Sequence, residues 1–179
     1  MRIIVKEIKL VFTGSMGAGK TTAISTISEI PVVNTDVSTT DEARQRKATT
    51  TVALDYGEMT LDEGQKLRLY GTPGQQRFEY MWPIIIKGAL GLIILVDDAA
   101  DDPVADLGIY IKFFKSYIEE MPTVIGITRT DLEQGPGMPA YYDYLQTENL
   151  QLPVFATDPR NRDHIIMIIQ TLAAMVEVV

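Results

Sequence analysis

The chain has no cysteine among its 179 residues. That excludes disulfides, thiolate metal sites and cysteine nucleophiles together, and is compatible with a reducing compartment. Histidine is nearly absent too. His164 stands alone at the start of an apolar helix, with no triad partner or metal cluster, and reads as structural. Positive charge is in the minority: 16 Lys and Arg face 24 Asp and Glu, a formal net charge of -8. With no basic run, the chain is not expected to bind nucleic acid. Long hydrophobic runs are lacking as well. The longest, Pro83 to Val96, is broken by Lys87 and is too short to span a bilayer. Charges interrupt the first ten residues where a secretory signal would run apolar. Neither end offers the glycine or cysteine of a lipidation motif. The expectation is a soluble cytoplasmic protein with no direct membrane anchor.

What is present is globular. Hydrophobic residues make up 46% and charged residues 22%, values that argue against disorder. The length fits one domain spanning residues 1–179. Apolar runs alternate with amphipathic segments, which predicts an α/β fold. Strands are expected over Ile3 to Thr13, Val52 to Leu61, Gln65 to Tyr70, Leu90 to Val96, Thr123 to Thr128 and Pro153 to Thr157. Helices are expected over Gly19 to Ser28, Gln76 to Ile86 with an interruption near Pro83, Asp106 to Glu120, Tyr141 to Thr147 and Asp163 to Val178. Right-handed crossovers would then give about six strands in a mostly parallel sheet, with helices on both faces. Residues Pro31 to Thr50 form a polar stretch, and a loop that long is usually functional.

The strongest local signal is Gly14-Ser15-Met16-Gly17-Ala18-Gly19-Lys20-Thr21. It fits the phosphate-binding pattern G-x-x-x-x-G-K-[ST] at every fixed position. Glycines let the backbone turn its N–H groups inward onto phosphate oxygens. Lys20 supplies a point charge to the outer phosphates, and Thr21 offers its hydroxyl to Mg²⁺. The helix that follows, Thr22 included, adds its positive end. Met16 is bulky for a position beside the terminal phosphate and is expected to shape access there. The loop alone leaves small-molecule kinases, ATPases and GTPases open.

Two further segments narrow the choice. One is Thr51-Val52-Ala53-Leu54-Asp55-Tyr56. The other is Leu69-Tyr70-Gly71-Thr72-Pro73-Gly74-Gln75-Gln76-Arg77-Phe78, followed by Lys87-Gly88-Ala89 and an apolar strand. In this order the chain resembles Ras-like small GTPases of the Rab type, from Lys9 to the last helix. The Thr-Pro-Gly-Gln variant is similar to bacterial GTPases of the MglA type. The resemblance implies a P-loop NTPase fold of the Ras-like kind, with GTP or GDP as ligand and Mg²⁺ as cofactor. It implies that Thr51 closes on Mg²⁺ and the γ-phosphate, with Thr49 and Thr50 as adjacent alternatives. It implies that Gly74 donates its N–H to the γ-phosphate and that Gln75 orients the attacking water, so that Lys20, Gly74 and Gln75 carry catalysis. It also implies a roadblock/LC7-type regulatory partner. Arg44, Arg46 and Lys47 read as a solvated loop face, with a cis arginine finger as the alternative. The sequence departs from the pattern at Gly71, where most Ras-like proteins carry an aspartate that orients a water on Mg²⁺. Asp97, after a buried strand, is a candidate to help.

For the base, Ras-like proteins use Asn-Lys-x-Asp. This chain has Thr128-Arg129-Thr130-Asp131. Asp131 stands where a carboxylate accepts from guanine N1–H and the 2-amino group, a donor pair adenine lacks. Arg129 would lay its guanidinium over the base. Thr157 and Asp158 belong to the next base loop, in which Pro159 has no N–H for the guanine carbonyl. Asp97, Asp98, Asp101 and Asp102 read as a solvated acidic turn, and Ile165, Ile166, Ile169 and Leu172 as a core stripe. The expected function is a GTP-hydrolysing switch. A nucleotide-locked scaffold and a small-molecule kinase, whose loop is also similar in shikimate-type kinases, are the alternatives.

Overall fold

The computed structural model describes residues 7–34 and 54–177. Seven strands form one sheet in the order β2-β3-β4-β1-β5-β6-β7. They are β1 (Ile8–Gly14), β2 (Val33–Asn34), β3 (Asp55–Thr60), β4 (Lys66–Gly71), β5 (Gly91–Asp97), β6 (Thr123–Thr128) and β7 (Val154–Ala156). β3 runs antiparallel to both β2 and β4, and the other pairs are parallel. The count exceeds the expected six because β2 has only two residues, too short to leave an apolar pattern.

The helices are α1 (Lys20–Ile27), α2 (Trp82–Ile86), α3 (Pro103–Phe113), α4 (Lys115–Glu120), α5 (Met138–Thr147) and α6 (Arg162–Glu177). Two departures from the sequence reading have local causes. Gln76–Met81 is a 3₁₀ segment, and the α-helix begins only at Trp82. Pro83 falls in the first turn of α2, where its missing N–H costs nothing. The single helix expected over Asp106 to Glu120 divides at Phe114, whose φ of -91° and ψ of 10° leave the helical basin. That twist seats Phe114, fully buried, against the Trp82 ring at 5.7 Å between centroids.

Alternate residues of the central strands feed two cores. Val11, Leu92, Ile94, Val96, Ile125 and Ile127 face α2, α3, α4 and α5. Leu10, Phe12, Ile93, Leu95 and Val124 face α1 and α6. On α6, Ile165, Ile169 and Leu172 are buried as expected; Ile168 is buried too, while Ile166 is only partly so. Strand β1 lies at the centre, with β4 on one side and β5 on the other. The loop after β1 therefore opens at the switch in strand order, where α/β sheets take their ligands. Among the described residues, no helix is long and apolar enough to cross a membrane.

Candidate functional site

Strand β1 delivers Gly14 into the loop at φ 143°, and a Cβ there would lie 2.1 Å from the Leu95 carbonyl oxygen. Only glycine fits so close to β5 with that backbone. Beyond it, Gly14 to Gly19 wrap around the Lys20 side chain. Lys20 is 7% exposed, and its Nζ donates to the carbonyls of Gly14 at 2.5 Å and Ser15 at 2.7 Å. Burial pushes the Lys20 ammonium down to about 8, with the Asp55 carboxylate opposing the shift. No side chain caps α1, and its first turn carries no acidic residue. No acidic residue of the helix itself competes for its leading N–H groups, which suits an anion. Thr22 is exposed in that first turn.

Thr21 donates its hydroxyl hydrogen to Asp55 Oδ2 at 2.5 Å. The site therefore offers a hydroxyl and a carboxylate side by side. These hard oxygen donors suit Mg²⁺, which is commonly held by one or two carboxylates together with substrate phosphates. Among the described residues there is no group of three or more His, Cys, Asp or Glu side chains that could cage a metal.

The Thr72–Gln75 segment leaves β4 and comes down on the phosphate loop. A Cβ built on Gly74 would lie 2.5 Å from the Met16 backbone nitrogen and 2.9 Å from Lys20 Nζ. Thr13 and Thr72 hydroxyls hydrogen-bond at 2.8 Å, and the Thr72 N–H donates to the Phe12 carbonyl at 2.9 Å. Trp82, fully buried, donates its Nε1–H to the Pro73 carbonyl at 3.0 Å. It stacks on Tyr110 at 4.9 Å, and the Tyr110 hydroxyl sits 3.5 Å from the Gly74 carbonyl. Burial raises Tyr110 to about 12, so that hydroxyl stays protonated as a donor. Gln75 Nε2 lies 3.6 Å from the Met16 sulfur, while Met16 itself is 71% exposed.

At the other end of the site, Thr128 is buried and its hydroxyl lies 3.0 Å from the Ala18 carbonyl and 3.2 Å from that of Val96. A threonine thus ties the phosphate loop to β5 and β6 at the position of the expected asparagine. Arg129 holds a left-handed φ of 57°, a conformation that costs a non-glycine residue about 1 kcal/mol or more. Its guanidinium donates to Asp97 at 2.9 Å. Asp97, considered above as a helper at the metal, is instead taken by Arg129 and by the Ala99 N–H. Asp131 is exposed in a 3₁₀ turn, near enough to Arg160 to act on it electrostatically.

The loop after β7 is braced from within. Arg160 forks onto both carboxylate oxygens of Asp158 at 2.9 Å and holds that carboxyl down at about 2. His164 Nδ1 accepts from the Asp158 N–H at 3.0 Å, a structural role as expected. Thr157 is buried and its N–H donates to the Ile127 carbonyl. The Pro159 carbonyl accepts from Thr26 at 2.8 Å, and its ring packs on the phosphate loop beside Gly19.

Three carboxylates stand differently from the sequence reading. Asp98, expected in a solvated turn, is 2% exposed and accepts from the Tyr141 hydroxyl at 2.5 Å. Burial and that hydrogen bond push Tyr141 upward. Asp102 caps α3 through the Ala105 N–H. Asp55 was visible only as part of a strand entry, because its partner Thr21 lies 34 residues earlier. Thr51, with Thr49, Thr50, Arg44, Arg46 and Lys47, lies outside the described residues.

The sheet order and the loop around Lys20 define a nucleotide-binding protein of the P-loop NTPase type. The chain belongs to the family described as conserved hypothetical ATP binding protein, whose model matches residues 12–177. It is 34% identical over 127 residues to Uncharacterized protein MJ1339 of Methanocaldococcus jannaschii, across 70% of this chain and 72% of that one. It is 29% identical over 110 residues to Ras-related protein Rab-13 of Canis lupus familiaris and of Bos taurus, across 60% of this chain. It spans 48% of the length of those Rab-13 relatives.

Proposed function

We propose that this chain is a single-domain, cytoplasmic Ras-like switch of the MglA type that binds GTP and hydrolyses it to GDP and phosphate. The observation that carries this reading is the close seating of Gly74 on Met16 and Lys20. A small-molecule kinase has no need of a second backbone segment on the phosphate loop. A switch does, because that segment must sense the terminal phosphate. The similarity to Rab-13 supports the same class.

In this reading Lys20 gives up its two carbonyl contacts and bonds the outer phosphates. The Gly74 N–H turns to the γ-phosphate. Gln75 leaves the Met16 sulfur and orients a water in line with the bond to be broken. Thr21 would hold Mg²⁺, which when bound would supply neutralisation of the phosphate charge. The protein's part is positioning and fixed dipoles. Asp131 accepts from the guanine edge. A roadblock/LC7-type partner completes the site and accelerates hydrolysis.

A second reading rests on Pro159 and on the family description. Without an N–H at that position the loop has one donor fewer for a base oxygen, so adenine is less strongly excluded. Titration of fluorescent GTP, GDP and ATP analogues, with and without Mg²⁺, followed by phosphate release, separates the two. Preference for guanine nucleotides with slow release, abolished in Lys20→Ala, is the expected result. Equal or better ATP binding would overturn the guanine reading, and nucleotide binding without any phosphate release would overturn hydrolysis.

A further inference from the structure

Two consecutive carbonyls of the Thr72–Gln75 segment are held by buried aromatic donors. Trp82, the only tryptophan of the chain, opens α2 and is fully buried. Its Nε1–H donates to the Pro73 carbonyl at 3.0 Å. The next carbonyl, that of Gly74, lies 3.5 Å from the Tyr110 hydroxyl, and the Ser15 side chain is a further hydrogen-bond partner of that phenol. The two rings are fixed from behind. Trp82 stacks on Tyr110 at 4.9 Å and on Phe114 at 5.7 Å, and meets Phe113 edge-on at 4.8 Å. A buried indole N–H needs an acceptor, and the choice of Pro73 has a consequence. The Pro73 carbonyl and the Gly74 N–H belong to one peptide plane. That peptide is trans, so the two groups point in opposite directions. With the carbonyl turned onto Trp82, the Gly74 N–H faces away from the ring cluster. Among the described residues it has no hydrogen-bond partner. Gly74 itself rests on the phosphate loop, where a Cβ would meet the Met16 nitrogen at 2.5 Å.

We propose that Trp82 and Tyr110 are positioning residues for the terminal phosphate: by holding the Pro73 and Gly74 carbonyls, they present the Gly74 N–H to it. The inference rests on the GTP-switch reading above and deepens it. Both residues act through the backbone and not by touching the nucleotide. What they supply is direction. A backbone dipole already aimed at an incoming charge needs no reorganisation when the charge arrives. Without anchors a glycine peptide would spread over many orientations. Tyr110 adds a link to the loop itself. Its phenol meets the Ser15 side chain, while the Ser15 carbonyl accepts from Lys20 Nζ at 2.7 Å. The lysine, the phosphate loop and the sensing peptide are thus joined through one hydroxyl, which α3 holds in place.

The test compares affinities for a fluorescent non-hydrolysable GTP analogue and for fluorescent GDP, both with Mg²⁺. The two ligands differ at the terminal phosphate, the one group that the Gly74 N–H would meet. Three proteins are measured: the parent, the parent made with benzothienylalanine at its single tryptophan, and Tyr110→Phe. Benzothienylalanine keeps the shape of the ring and puts sulfur where the N–H stood. Tyr110→Phe keeps the ring and removes the hydroxyl. Melting temperature is followed by circular dichroism in each. The tryptophan isostere is expected to bind the GTP analogue about tenfold more weakly, the order of one hydrogen bond to a charged group, and to bind GDP like the parent. Tyr110→Phe, which loses the longer contact, is expected to shift in the same direction by less. General loosening of the core would weaken both nucleotides alike, and that result overturns the inference. So does an isostere that melts like the parent and binds both nucleotides as tightly. If the isostere melts well below the parent, Tyr110→Phe decides: a loss confined to the GTP analogue supports the inference, and an unchanged ratio of the two affinities overturns it. In each of these failures the parent still binds guanine nucleotides and the switch reading stands. If the parent binds neither nucleotide, that reading fails and takes this inference with it.

Discussion

Lys20, proposed above to bond the outer phosphates, is buried, and burial and Asp55 pull its ammonium in opposite directions. Burial brings its ammonium down to about 8, and Asp55 resists. Phosphate favours the charged form, so binding above that pH must take up a proton. Affinity for GTP is therefore expected to be flat between about pH 7 and the Lys20 value. Above it, affinity falls by up to about tenfold per pH unit. In Asp55→Asn the opposing charge is gone, so the fall begins at lower pH. Binding curves across this range at fixed ionic strength check both parts; an unchanged onset in Asp55→Asn would mean that Asp55 does not act on Lys20. The two residues differ in how they show in the sequence. Lys20 belongs to a contiguous pattern whose spacing is its own evidence. Asp55 becomes meaningful only when the sheet sets it opposite Gly71 and beside Thr21. No local pattern encodes that meeting.

At the scale of elements, the periodic segments were legible and their ends and breaks were not. β6 falls on Thr123–Thr128, the bounds read from the sequence. At the break Phe114 packs on Trp82, 32 residues away in the chain, and the helical spacing of Leu107, Ile111, Phe114 and Ile118 runs straight through it. The role of Thr128 was half visible. Its place at the end of β6 marked it for the base loop, yet its hydroxyl serves the joint between the phosphate loop and β5. Thr128→Val keeps the shape and removes the donor. Two buried carbonyls, those of Ala18 and Val96, then share no hydroxyl. The expected cost is roughly 1–3 kcal/mol in urea unfolding, with weaker nucleotide binding because Ala18 lies in the loop. Unchanged stability would mean that the joint is held by the surrounding backbone alone.

The whole molecule is a sheet with a core on each face and one loaded edge, where the loops after β1, β4, β6 and β7 converge. That architecture was legible because strand alternation and helical periodicity repeat many times. Which base this edge would take was less legible, because the proposed reading rests on single groups: Asp131 exposed in its turn, Pro159 without an N–H, Arg160 held by Asp158. A ligand that binds only the folded state stabilises the entire fold, by about 2.7 kcal/mol at a hundred times its Kd. For a domain of this size that is a rise in Tm of about 5–10 °C. With Mg²⁺ present, GTP is expected to produce such a rise and ATP at the same concentration much less. Asp131→Ala is expected to erase most of the difference by lowering the GTP effect rather than by raising that of ATP. An equal rise with both nucleotides would mean that this edge grips phosphate and ribose while leaving the base unread. The family's ATP-binding description would then apply to this chain, and Asp131 would be an ordinary turn residue.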